Sequence, residues 1–275
     1  MDQSIATDYA ADRGCPEPYL RRIAEAGFSH IHWCHQWCTD FLYCEAEIAQ
    51  IQRWLKDYGL RLQDLHAPGG PEKNWHSTRE YERIAGVELL RNRIEMVARL
   101  GGRAIVLHPP LECERDEVWS AACRSLDELK PVARGAGVRI ALENLSVLES
   151  WDSIQRLLSH YEPDYLGLCY DSGHGNIAPG SIERLDRWKE RLFVLHLHDN
   201  NGADDEHRLP FNGTVPWERL MPVITSSAYD GPISQEIGMG KEPIEDEAEF
   251  LRQALERGRR LATMMAEGRR EKDER

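Results

Sequence analysis

The sequence predicts an α/β fold in which eight parallel strands close into a (β/α)8 TIM barrel. Eight short runs rich in β-branched or aliphatic residues are each bounded by Gly, Pro, Asn or Asp, as strands are. Longer stretches with apolar residues at spacings of three and four separate them, as amphipathic helices do. Such alternation builds right-handed βαβ units on a parallel sheet. No Gly-x-Gly-x-x-Gly turn follows the first run, which sets aside an open dinucleotide-binding sheet.

The runs are "SIATDY" (4–9), "HIHW" (30–33), "RLQDLHA" (61–67), "RAIVLHP" (103–109), "RIALENL" (139–145), "LGLCYD" (166–171), "FVLHLHD" (193–199) and "PISQEIG" (232–238). Between the third and fourth, Ile84, Val87, Leu90, Ile94 and Val97 share one helical face. Between the fourth and fifth, Val118, Ala122, Leu126, Leu129 and Val132 do the same, and Gly137 in "AGV" (136–138) supplies the stop. There is no internal repeat and no low-complexity core. Barrels of this kind run to about 200–250 residues, so residues 1–265 of the 275 are assigned to one barrel domain. Residues 266–275 are read as a charged tail, fraying into water through "EGRREKDER".

With 34 Lys and Arg against 47 Asp and Glu, the formal charge is −13. That sign opposes nucleic acid, whose backbone is bound by clustered cations. The first residues, "MDQSIATDYAADRG", have neither a basic segment nor an apolar one, and no run approaches the roughly 18 apolar residues of a membrane span. A cytoplasmic protein with no membrane partner is expected. The seven cysteines are odd in number and scattered, and Cys34, Cys38 and Cys44 match no zinc knuckle, so reduced thiols are expected.

A barrel builds its active site at the C-terminal ends of its strands. Run three ends in His66, run four in His108, run five in Glu143, run six in Asp171, run seven in His196 and His198, and run eight in Glu236. Any one of these is an ordinary hydrogen-bonded residue. Together at one dry mouth they are costly unless something neutralises them, and a divalent cation is the simplest partner. In "YDSGHGN", Gly173 and Gly175 permit a turn that turns Asp171 and His174 into one pocket. His196 and His198 flank Leu197 and so share a strand face, and the loop beyond returns Asp205 and His207. His32, ending run two, is either a further site residue or a packed core histidine. Trp33, Trp37 and Trp75 read as core or lid, "EKNWH" (72–76) lying in the loop after run three. Mixed imidazole and carboxylate donors suit Mn, Co, Zn or Fe better than Ca, with Mg acceptable.

The motifs "HAP" (66–68), "LHP" (107–109), "ALENL" (141–145), "YDSGH" (170–174), "HLHD" (196–199), "DEH" (205–207) and "QEIG" (235–238) resemble those of a barrel superfamily. That superfamily joins xylose isomerase-like sugar isomerases and epimerases, including those acting on sugar phosphates, with endonuclease IV. The epimerase branch implies one divalent metal held by Glu143, Asp171, His196 and Glu236, the two glutamates also forming the catalytic acid/base pair. The endonuclease branch implies three zinc ions, adding His66, His108, His174, Asp205 and His207. Three departures weigh against the nuclease: His198 stands where it has Asn, with only a short loop before Asp205; Gly69 and Gly70 replace an aromatic residue; and the chain is acidic.

The resemblance therefore implies a metal-dependent isomerase or epimerase of a sugar, sugar phosphate or keto-sugar, transferring a proton alpha to a carbonyl through an enediolate. The alternatives are a dehydratase or lyase on a keto-inositol or keto-sugar, and an endonuclease IV-like zinc phosphodiesterase. His66, His108, His174, His198 and His207 are assigned to binding a small carbohydrate substrate. Arg208 or Lys73 could meet a phosphate, and pairing into a homodimer is in keeping with the superfamily.

Overall fold

The computed structural model describes residues 1–11, 13–69 and 72–273. Its strands are β1 (Gln3–Ala6), β2 (His30–Trp33), β3 (Arg61–His66), β4 (Ala104–Leu107), β5 (Arg139–Glu143), β6 (Leu166–Asp171), β7 (Leu192–His196) and β8 (Ile233–Gln235). All are parallel, each of the first seven beside its sequence neighbours, with β8 against β1. The remaining seam, between β7 and β8, is closed at Leu197. Its N–H donates to the Ser234 carbonyl at 2.9 Å, and its carbonyl accepts from Glu236 N–H at 3.2 Å. The barrel thus closes between His196 and Glu236, two residues on which the site depends.

The helices are α1 (Glu17–Ala26), α2 (Glu45–Tyr58), α3 (Glu80–Leu100), α4 (Asp116–Ala136), α5 (Leu148–His160), α6 (Ser172–Ile177), α7 (Ser181–Trp188), α8 (Trp217–Thr225) and α9 (Glu247–Asp273). Helix α4 ends as expected, Gly137 taking the left-handed conformation at φ +68°. On α3, Val87, Leu90, Ile94 and Val97 are buried, but Ile84 is 50 % exposed. Arg83 takes the buried place in that turn, its guanidinium bonded to Glu80, Ser125 and Glu128. Helix α9 continues to Asp273, into the segment read as a charged tail. Buried Leu251, Ala254, Leu261 and Met265 carry its apolar stripe to the start of that segment, and Arg269 donates to the Tyr229 carbonyl at 3.4 Å. None of the helices among the described residues is long and apolar enough to cross a membrane.

Strand alternation sorts the barrel into layers. The large apolar side chains pack outward against the helices in one continuous core. A separate cluster of small residues, including Ala104, Val106, Ala141, Cys169 and Val194, fills the barrel interior. Two residues beyond Val106, Ala141, Cys169 and Val194 come His108, Glu143, Asp171 and His196. The same side of each strand that fills the barrel below delivers a polar group above.

Candidate active site

The polar residues expected from the strand ends form one connected cluster. Glu143 Oε1 lies 2.7 Å from His196 Nδ1, and Glu236 Oε2 lies 2.8 Å from the same nitrogen. One ring nitrogen carries at most one proton, so two carboxylates from opposite sides of the seam cannot both be satisfied by it. One donor atom each from Glu143, Asp171, His196 and Glu236 lie within 4.8 Å of one another. Three carboxylates and one imidazole at that spacing, all but Glu236 fully buried, are a chemical fit for a divalent cation.

Two further groups adjoin this set. Glu143 Oε2, which makes no hydrogen bond, faces His108 Nε2 at 3.2 Å and His66 Nε2 at 3.4 Å. His66 places its Nδ1 2.8 Å from the Ala67 carbonyl, so that nitrogen donates and Nε2 presents a lone pair unless the ring is charged. On the other flank, Asp205 Oδ2 receives His174 Nε2 at 3.1 Å and His207 Nε2 at 3.0 Å. The two rings donate from Nδ1 to the Asn144 and Glu236 carbonyls, each at 2.9 Å.

The stretch "YDSGHGN" is not the glycine turn the sequence suggests. Asp171 caps the N-terminus of α6, its Oδ1 accepting from His174 N–H at 2.6 Å. Neither Gly173 nor Gly175 takes a positive φ. Gly173 is required instead for closeness, because a Cβ there would fall on the His198 ring. His198 is consequently sealed from solvent, with Nε2 3.0 Å from both oxygens of Asp171.

The electrostatics follow from this crowding. Burial alone would raise the carboxyls of Glu143 and Glu236, but the His196 charge and the close approach of the surrounding imidazoles hold both well below the ordinary carboxylate range. Burial opposes charge on His174 and His207 too. Asp171 and Asp205 beside the first, and Asp205 and Glu236 beside the second, push both up to about 10. Asp205 is held correspondingly low, its hydrogen bonds from both rings outweighing burial.

Two residues, Asp64 and Asp8, escaped the strand-end reading, and His32 was left open between site and core. His32 is fully buried and bonded through Nδ1 to Asp64, which lies on β3 two residues before His66. Asp8, beyond β1, has its carboxyl raised by burial and by the charge of Glu236, with His32 and His207 opposing. His32 adds β2 to the six strands that deliver polar groups to the mouth, and Asp8 follows β1. The alternation of Asp64 with His66 was the available signal. Among the tryptophans, Trp33 is buried and bonded to the Tyr43 hydroxyl at 3.1 Å, and Trp75 is buried. Trp37 instead reaches the mouth, its ring 4.6 Å from that of His66. Lys73 lines a cavity of about 190 Å³ with His66, His108 and His76. Arg208 is paired with Glu206 at 2.8 Å. Gly69 donates to the Trp37 carbonyl, and Gly70 lies outside the described residues.

Comparison with known proteins adds the context. The profile of a family described as xylose isomerase-like TIM barrel matches residues 20–254. The uncharacterised protein y4fM of Sinorhizobium fredii is 32 % identical over 279 residues, covering 91 % of this chain and 89 % of that one. D-psicose 3-epimerase of Ruminiclostridium cellulolyticum is 21 % identical over 231 residues, covering 79 % and 76 %. Among solved structures, a D-tagatose 3-epimerase-like protein superimposes with a TM-score of 0.75 at 22 % identity, over 99 % of each chain.

Proposed function

Because the chain belongs to the xylose isomerase-like TIM barrel family, we propose that it is a divalent-metal-dependent epimerase or isomerase of a sugar or keto-sugar. It moves a proton at the carbon beside a carbonyl. The observation that carries this reading is the pair of glutamates converging from β5 and β8 on one imidazole nitrogen, with Asp171 alongside. Glu143, Asp171, His196 and Glu236 hold the cation. When bound, such an ion is a Lewis acid that stabilises the negative charge developing on the carbonyl oxygen.

The remaining work belongs to side chains. Held low, both glutamates are ionised at neutral pH and able to accept a proton through a carboxylate oxygen. Their approach from two strands suits removal of a proton at one face of the substrate and return at the other. Glu236, with its side chain 13 % exposed against 1 % for Glu143, is the more open to substrate. His66, His108, His174 and His207 bind substrate hydroxyls, and His198 fixes Asp171 from beneath. Trp37 covers the rim over His66 and His108.

Incubation of the metal-loaded chain with a panel of ketoses and keto-sugars in heavy water is the test. Deuterium should enter the carbon beside the carbonyl, and Glu236→Gln should reduce the rate by 100-fold or more, on the order expected for a lost general acid or base. Exchange undiminished in the variant would overturn the assignment. A dehydratase begins with the same proton removal and is distinguished by loss of water in the product.

A second reading, a zinc phosphodiesterase, is favoured by one observation: His66 and His108 with Glu143, and His198 and His207 with Asp205, are also at ligand spacing. Cleavage of a duplex containing an abasic site by the zinc-loaded chain would establish it.

A further inference from the structure

Resting on the metal centre just proposed, we infer that Asp64 is a positioning residue that fixes the tautomer of His196 from inside the barrel, with His32 as its clamp. Asp64 is completely buried on β3, beside two completely buried imidazoles that touch each other, their ring centroids 4.1 Å apart. Its Oδ1 bonds His32 Nδ1 and lies 3.6 Å from His196 Nε2. His196 Nε2 makes no hydrogen bond, nor does Asp64 Oδ2. The far side of the clamp reaches the same centre, His32 Nε2 lying 3.6 Å from Glu236 Oε1 and having no hydrogen bond of its own.

The chemistry of imidazole gives this arrangement its consequence. A histidine ligates through a lone pair, and the acceptor facing its other nitrogen decides which nitrogen that is. A His196 that ligates through the Nδ1 it turns toward Glu143 and Glu236 must carry its proton on Nε2. Asp64 is the carboxylate facing that position. Deprived of it, the ring gains by placing its proton on Nδ1, between the two glutamates, where it satisfies them and occupies the cation's place. Asp64 and His32 touch no solvent and so no substrate, which makes them positioning rather than catalytic. The 3.6 Å contact is longer than a hydrogen bond, and the inference is that it serves as one when the ligand set is engaged.

The experiment is a calorimetric titration of the metal-free chain with Mn²⁺, for wild type, Asp64→Asn and Asp64→Leu, alongside urea unfolding of each. Loss of a carboxylate behind a ligating histidine weakens metal binding by roughly 10–100-fold. Asp64→Leu, which removes both oxygens on the same branched skeleton, should show that loss, and Asp64→Asn, which keeps an acceptor but not the charge, a smaller one. In the zinc-loaded wild type, the His196 Nε2 proton should appear as a slowly exchanging downfield resonance that moves or vanishes in Asp64→Asn. A merely structural role would change urea stability while leaving affinity and that resonance where they were, and would overturn the inference. Should Asp64→Leu fail to fold, unchanged affinity and resonance in Asp64→Asn would do the same. A wild type that binds no Mn²⁺ would overturn the metal centre itself, a distinct result.

Discussion

At Glu143 the two carboxylate oxygens meet different neighbours, Oε1 toward His196 and Oε2 toward His66 and His108. Glu236 shares the first of these neighbours, which is why both glutamates are held low together instead of being pushed apart. A pH effect of the opposite origin belongs to His76, in the loop after β3. Burial pushes its imidazole down from 6.5 to about 4. The unfolded chain takes up this proton near 6.5 and the folded chain only near 4, so the stability tied to neutral His76 is full above 6.5 and is lost as pH falls toward 4. Urea unfolding of metal-free protein should show a shallower acid loss between these values in His76→Gln than in wild type; parallel curves would contradict it. The strand-end residues, His32 among them, were legible because a barrel gathers its strand ends at one mouth, whereas Asp64 and Asp8 demanded following the alternation inward along β3 and onward from β1. A charged residue two places before a site histidine, on the same strand face, is the pattern that finds Asp64.

At the scale of elements, each of the eight apolar runs falls on a strand, with β1 and β7 beginning one residue earlier, since runs of that length and composition fit a buried parallel sheet. Helix α6 was not legible: "SGHGN" has turn composition, and the Asp171 cap together with contact against His198 overrides it. The loop after β3 shows the same tertiary control. Gly86 on α3 lies so close to Asn74 and Trp75 that a Cβ would collide with their backbone. Ser125 on α4 bonds the Trp75 carbonyl from the other side. Gly86→Ala should therefore cost about 1–3 kcal/mol in urea unfolding, as overpacking does, while leaving cation affinity at Glu143, Asp171, His196 and Glu236 close to wild type. Full stability in that variant would show that the loop yields easily.

For the molecule as a whole, an acidic chain of charge −13 concentrates buried carboxylates at one end of its barrel and answers them there with imidazoles. A cleft of about 930 Å³ at the opposite end, around His30, Arg61 and Arg103, lies away from that convergence. The site follows from the topology: the seam closes at Leu197, and the residues on either side of it supply His196, His198 and Glu236. The central claim is that this mouth holds a resident divalent ion between Glu143, Asp171, His196 and Glu236. Metal content per chain, by inductively coupled plasma mass spectrometry on protein purified without added metal or chelator, tests it most directly. The account predicts about one divalent transition metal per chain, and much less than that in Asp171→Ala. No bound metal, or an unchanged content in Asp171→Ala, would contradict it.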